Sequence, residues 1–387
     1  MTERLKSIVS QMTPSTSALS AITTKNPDDV VITLALRTPL TKAHKGGMKD
    51  TKLDGIMVKT LKAVIKQSNL DPALVEDICC GNVSDAKAAY YVRAAMLAAG
   101  FPNTTSGSSL NRFCSSGLKA VQDIANQIAV GSIEIGLAMG AESMTTGGDR
   151  LERPFVDEIL ENKESMDCMQ PMGQTSENAR QFAAESYRRA EVAQKAGWFD
   201  DEIAPITTTI KDPKTGEEKQ VTLTKDEGIR AGTTFESLQK LKPAFLPHGD
   251  KSHAGNSSQL TDGAAAILMM KRSTAEKLGQ PILAKYVGAT VAGLAPRIMG
   301  IGPSVAIPKL LTKFGLTLDD IDLIEINEAF ASMAVYCLET LKIDHSKLNI
   351  VTGLSECRRQ KKKVLLTSMC IGTGMGMAGL FVNEQNV

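Results

Sequence analysis

Aromatic residues are scarce: Phe, Tyr and Trp make up 4% of the chain, and there is one tryptophan. Nucleic-acid platforms stack bases on aromatic rings set in a basic groove, and this chain has little to build one from. Neither sign of charge dominates, with 44 basic and 43 acidic residues among 387. No strong field is available to steer nucleic acid, and the cluster Lys361-Lys362-Lys363 reads as a solvated turn. No apolar run approaches the roughly 20 residues of a membrane span. The seven cysteines lack metal-ligand spacing, with Cys79 and Cys80 adjacent and the rest scattered. Free thiols in a reducing compartment, and no bound metal, are the simplest reading. What remains is rich in Ala, Gly, Val, Leu and Met, which suits close packing of helices on sheets.

The length accommodates about two to three domains. Short β-rich runs alternate with helical patterns. Candidate strands are Val30–Leu36, Asp77–Cys80, Ile133–Met139, Ala264–Met270, Ile282–Ala289, Ile321–Ile326 and Val364–Met369. The alternation predicts an α/β fold with a mostly parallel sheet and crossover helices. A weak internal echo is present: Cys114 opens a helix in the first half, and the second half has its own helix over Gly302–Phe314, then a strand. Residues 149–249 differ, carrying most of the charge runs and six prolines from Pro154 to Pro247.

The run Asn111-Arg112-Phe113-Cys114-Ser115-Ser116-Gly117-Leu118 sets a thiol where an extended segment turns into a helix. Leu118, Val121, Ala125 and Ile128 follow at helical spacing, and Ser115 or Ser116 could cap the first turn. A thiol at a helix N-terminus feels the positive end of the dipole, which favours the reactive thiolate. On position alone a buried structural cysteine is an equal reading. A second run, Cys370-Ile371-Gly372-Thr373-Gly374-Met375-Gly376, leads from a strand into a glycine-rich turn. Its backbone N–H groups could face a developing oxyanion.

Both runs, with Asn327-Glu328-Ala329-Phe330 between them, resemble the thiolase family, and within it the 3-ketoacyl-CoA thiolases. Further matching pieces are Gly140-Ala141-Glu142-Ser143-Met144, Met172-Gly173, Ala254-Gly255-Asn256-Ser257-Ser258-Gln259 and Met299-Gly300-Ile301-Gly302-Pro303. The resemblance spans nearly the whole chain. It implies two similar layered core domains plus a loop domain: a targeting and disordered segment over 1–27, an N-terminal domain over 28–278 with the loop domain at about 149–249, and a C-terminal domain over 279–387.

The resemblance also implies thiolytic cleavage of 3-ketoacyl-CoA in fatty-acid β-oxidation. Cys114 would be the nucleophile and Cys370 the acid/base. The N–H groups of Gly372 and Cys114 would form one oxyanion hole, and Asn327 would hold the water of another. Ser258 and Met172 match positions that contact coenzyme A. Phe330 matches a position beside the pantetheine, although a core aromatic is an equal reading of that residue. Coenzyme A enters as substrate, and no permanently bound cofactor is implied. Arg4-Leu5 and Gln11-Met12 resemble an N-terminal peroxisomal signal read by an import receptor, with Met12 departing from the usual Leu or Ala. A peroxisomal homodimer follows.

The family's Gly-His-Pro loop has no match. His44, His248, His253 and His345 all lie in other contexts. Where that loop and its helix belong, only Ile350–Gln360 remains, too short and polar to predict a full buried crossover helix. A second shortening follows Asn178, and Phe113 stands where the family more often has Gln. These gaps favour an alternative: an impaired thiolase-like protein that binds acyl-CoA or pairs with an intact subunit.

Overall fold

A computed structural model describes residues 17–147, 155–168, 179–244, 252–349 and 353–385. The strands are β1 (Val30–Arg37), β2 (Thr41–Lys42), β3 (Asp77–Gly81), β4 (Ser106–Leu110), β5 (Ile135–Ser143), β6 (Ile206–Lys211), β7 (Glu218–Leu223), β8 (Thr261–Lys271), β9 (Ala284–Gly293), β10 (Leu323–Ile326), β11 (Leu348–Asn349), β12 (Val364–Ile371) and β13 (Met375–Asn383).

The sheet order is β11-β10-β12-β13-β9-β1-β8-β5-β3-β4, with β2 pairing to β8. Numbered within its own half, each half runs third, second, fourth, fifth, first. In the first half β3 pairs in parallel with β4 and β5, while β8 is antiparallel to β5 and β1. In the second half β10 pairs in parallel with β11 and β12, while β13 is antiparallel to β12 and β9. The halves join where Val31 pairs with Lys285 and Ile32 with Ala284. The expected mostly parallel sheet is therefore corrected to a mixed one. The β13 hairpin partner was hidden in the glycine-rich run, which reads as a turn in sequence but carries the chain straight back as a strand.

The crossovers repeat as well. Helices Leu53–Ser68, Ala88–Ala99 and Ser116–Ala129 link β1, β3, β4 and β5. Helices Pro303–Phe314, Ala331–Leu341 and Gly353–Gln360 link β9 to β12 in the same sequence. The first two helices of each set pack on the outer sheet faces, as their buried Ile56, Met57 and Leu61, or Ile307, Leu310 and Cys337, show. The third of each set lies in the middle. Ala120, Val121 and Ile124 of the first and Cys357 of the second share one core with Ile32, Met269, Leu365 and Phe381. Alternating helix and sheet layers result, with a core on both faces of each sheet.

Two local expectations change. Residues 18–27 of the segment read as disordered are placed: Ala18–Thr23 is a helix with Ser17 as its cap, and Ile22 is buried in the second-half core. Residues 1–16, including the candidate signal, lie outside the described residues. A short crossover helix does form at Gly353–Gln360, burying Glu356 and Cys357. Between 149 and 249, the β6–β7 hairpin and helix Ala179–Lys195 are the main described elements.

Candidate active site

Cys114 stands at the head of the central helix and is exposed. The turn before it is tied by its own polar side chains. Phe113 N–H donates to Asn111 Oδ1 at 2.8 Å, and Ser116 Oγ donates to Phe113 O at 2.7 Å. Ser116 Oγ also accepts from Arg112 N–H at 2.9 Å, and Ser115 Oγ donates to Arg112 O at 3.1 Å. The expected serine cap is thus corrected: Ser115 makes no capping bond, and both hydroxyls brace the turn instead. These bonds hold Phe113 at φ 48°, a left-handed conformation that costs a non-glycine residue about 1–2 kcal/mol.

The second run arrives from the other half. Cys370 lies within β12, fully buried. Residues Gly372–Gly374 form the β12–β13 turn, with Thr373 at φ 71° and Gly374 at φ 91°. A Cβ at Gly374 would sit 2.4 Å from Leu294 O, so only glycine fits there. The turn rests against the Cys114 loop: a Cβ built on Gly372 would lie 3.5 Å from the Phe113 ring. Arg112 Nη1 approaches Met375 Sδ at 3.8 Å, and Cys168 Sγ approaches Thr373 O at 3.7 Å. Burial, reinforced by Cys114, pushes the Cys370 thiol up to about 12. Cys370 is therefore protonated at neutral pH and can give a proton.

Asn327 is exposed at the end of β10, its N–H donating to Ser368 O at 2.9 Å, two residues before Cys370. Ser258 and Phe330 meet beside it. Ser258 N–H donates to Ala329 O at 2.8 Å, and Ser257 bridges to Phe330. Ser258 is exposed and Phe330 half-buried. Met172 lies outside the described residues.

The histidines stay apart. His44 and His345 are exposed. His253 is buried, with Gly255 N–H 3.1 Å from Nδ1 and Arg180 Nε 3.3 Å from Nε2. Burial, then the Arg180 charge, lowers its pKa. None of these three hydrogen-bonds to Cys114 or Cys370 among the described residues. His248 lies outside them.

Sequence reasoning missed two carboxyls. Glu328 receives the Ser186 hydroxyl at 2.7 Å, and burial raises it to about 7. Glu325 is raised to about 7 by burial, opposed by the Gly353 N–H. Glu325 lay in the candidate strand Ile321–Ile326 and Glu328 in the Asn327 run, but the burial that shifts both comes from chain distant in sequence.

Two copies of one topology, joined back to back with a thiol at the head of the central helix, define a duplicated layered α/β protein. Residues 30–273 match the thiolase N-terminal domain and residues 280–354 the thiolase C-terminal domain. The chain belongs to the thiolase family. It is 48% identical to the peroxisomal 3-ketoacyl-CoA thiolase of Yarrowia lipolytica over 415 residues, covering 99% of this chain and 100% of that protein. The dimeric peroxisomal thiolase of Saccharomyces cerevisiae superposes with a TM-score of 0.84 at 40% identity, covering 94% of this chain and all of that one. The human mitochondrial 3-ketoacyl-CoA thiolase in complex with CoA superposes with a TM-score of 0.77 at 31% identity, covering 92% of this chain and 98% of that one.

Proposed function

We propose that this chain is a peroxisomal acyltransferase that cleaves 3-ketoacyl-CoA with a second CoA, as a homodimer. One observation carries it: two halves of the molecule bring exposed Cys114 and the buried Cys370–Gly372 turn to one place. The names of the relatives support the substrate, the peroxisome and the dimer, and the Arg4-Leu5 signal supports the peroxisome.

Cys114 attacks the C3 carbonyl carbon as its thiolate, the form in which it departs again when the second CoA displaces it. The C2–C3 bond breaks, its electron pair passing to the acetyl-CoA enolate, and Cys370 supplies the proton that quenches it. The sulfur of the second CoA then displaces the shortened acyl group from Cys114, and its proton returns to Cys370. The N–H groups of Gly372 and Cys114 receive the thioester oxygen, and Asn327 holds a water at the other oxyanion. Ser258, Phe330 and Met172 line the coenzyme A path.

The shortened second crossover favours a further reading: uptake of acyl-CoA with slow turnover, paired with an intact subunit. The test is mass spectrometry after incubation with acetoacetyl-CoA, beside limited iodoacetamide mapping. An acetyl adduct on Cys114, absent in Cys114→Ala, is expected. Cys114 should alkylate before Cys357, which is fully buried and pushed up to about 12 chiefly by burial. Equal labelling of the two, or an adduct that survives Cys114→Ala, defeats the assignment.

A further inference from the structure

The two central helices differ in size, with 14 residues in the first and 8 in the second. Between them lies a cavity of about 420 Å³. Strands of both halves wall it, with Ala35 and Ala266 on β1 and β8, and Leu365 and Phe381 on β12 and β13. Leu118, Leu354 and Ser355 at its edge are half-buried, so the cavity reaches solvent. Protein interiors are close-packed, and a void of this size falls in the range of small-molecule sites. Neither Cys114 nor Cys370 lines it.

Three charged side chains line the cavity: Arg37, Glu202 and Glu325. Arg37 is fully engaged. Its Nε donates to Glu202 Oε1 at 2.7 Å, and its two terminal nitrogens donate to Asp226 at 2.7 and 2.9 Å. Glu325 receives the Gly353 N–H, and among the described residues no Lys, Arg or His forms an ion pair with it. Its carboxyl stands at the cavity wall: a Cβ built on Gly353 would lie 2.6 Å from Glu325 Oε2 and 2.6 Å from Leu365 Cδ2. Burial, with the charge of Glu202 adding to it, raises this carboxyl to about 7. A cation beside it would favour the ionised form.

The charge inventory selects the occupant. A carboxylate ligand would meet Glu202 and Glu325 with no free cation to offset them. A plain hydrocarbon would seal Glu325 in without a partner. A metal ion needs more ligands than these, and no group of three candidate ligands occurs among the described residues. An ammonium on an apolar body matches both the walls and the carboxyl.

We propose that this cavity binds a small apolar amine, its ammonium on Glu325 and its hydrocarbon or aryl body between the two central helices. The site stands apart from the thiols, so its failure would leave the acyl-transfer reading untouched.

The experiment is calorimetric titration of the full chain at pH 8 with three ligands of similar shape and different charge: 4-phenylbutylamine, 4-phenylbutanol and 4-phenylbutyrate. The amine should bind at least about 10-fold tighter than the alcohol, as a charge-assisted hydrogen bond supplies, and the carboxylate weakest of the three. Glu325→Gln should bring the amine down to the affinity of the alcohol and leave the alcohol unchanged. Ala266→Phe, which fills the space from β8, should weaken both. If that variant fails to melt cooperatively, Gly117→Leu decides from the helix side, where an added Cβ would meet nothing within 4 Å. No heat from the amine, an amine that binds no tighter than the alcohol, a preference that survives Glu325→Gln, or binding that survives blocking overturns the proposal.

Discussion

The two halves share strand order, pairing sense and crossover sequence, yet one crossover is intact and the other is cut short. Residues 111–134 carry the chain from β4 to β5, with Ala120, Val121, Ile124, Ala125 and Ile128 buried. Residues 350–363 make the same journey from β11 to β12, and their helix buries Gly353, Glu356 and Cys357. The sheet tolerates this because β12 is held by its neighbours: Leu323 to Ile326 pair with Leu365 to Ser368, and Val364 to Ile371 pair with Val382 to Met375. Pairing fixes topology, while the crossover supplies packing volume and whatever group stands at its head. In the first half that group is Cys114. In the second it would fall at residues 350–352, outside those described. The alignment to the Yarrowia protein spans 415 residues against a chain of 387, so the shortening is internal.

The largest effect should come from rebuilding that crossover. Grafting a Gly-His-Pro loop and a full helix between Asn349 and Lys361 should raise thiolysis of acetoacetyl-CoA by about 10²–10⁴-fold, the usual worth of a positioned acid/base. An ungrafted chain turning over at about 10 per second or more would show that another group serves as base.

The join between the halves comes next. Arg272, 4% exposed, bonds Asp29 and Glu384, and Lys285 bonds Asp29 at 2.7 Å. Arg272→Ala should cost about 3 kcal/mol in urea unfolding, since both carboxylates lose a buried charged partner, although Asp29 keeps Lys285 and Glu384 keeps Lys25. Burial opposes ionisation of both, but Lys285 and the Asn26 N–H hold Asp29 low, and Arg272 and Lys25 hold Glu384 low. Their contribution is present above the ordinary carboxylate range and fades as pH falls below it. Unfolding in two separate steps by Arg272→Ala would show that this cluster couples the halves.

Glu325 offers a smaller test within the second half. It is half-buried, lines a cavity of about 420 Å³ between the two central helices, and has its carboxyl raised by burial from 4.5 to about 7. Between those values the folded state binds the extra proton, so this group's contribution declines as pH rises through the window. Glu325→Gln should flatten that decline and stabilise the chain by about 1–3 kcal/mol at pH 8. An unchanged pH profile would place the charge in bulk water.

Smallest is Arg359→Ala. Its guanidinium bonds Glu356 and lies 3.8 Å from the centroid of the Trp198 ring, pinning the short helix to the segment that follows helix Ala179–Lys195. A loss of about 1–2 kcal/mol is expected, with faster hydrogen exchange over Gly353–Gln360. Unaltered exchange would mean that Cys357 burial alone holds the helix.

Seven strands, the helix after Cys114 and the helix at Pro303–Phe314 were legible in sequence, because hydrophobic periodicity is local. The strands β4 and β13 were not. Ser106-Gly107-Ser108-Ser109-Leu110 has no apolar alternation, and Met375–Gly379 is rich in glycine. Both become strands because neighbours supply their hydrogen bonds. Of the site, Cys114, Cys370, Gly372, Asn327, Ser258 and Phe330 were named from the run that carries each. The carboxyls at Glu325 and Glu328 were passed over, because their burial depends on distant chain.

By itself the sequence singled out the residues proposed to carry chemistry: two cysteines in two turn motifs, no matching histidine, and one crossover too short for its place. Only the tertiary structure decided what the shortening does. Cysteines 256 positions apart meet because two copies of one topology share a central layer. A cavity of about 420 Å³ lies between the two central helices, one of them short, because hydrogen-bonded strands keep their spacing when a connection shrinks. Pairing is directional and holds its geometry, whereas packing volume, once removed, is not refilled by a rigid sheet.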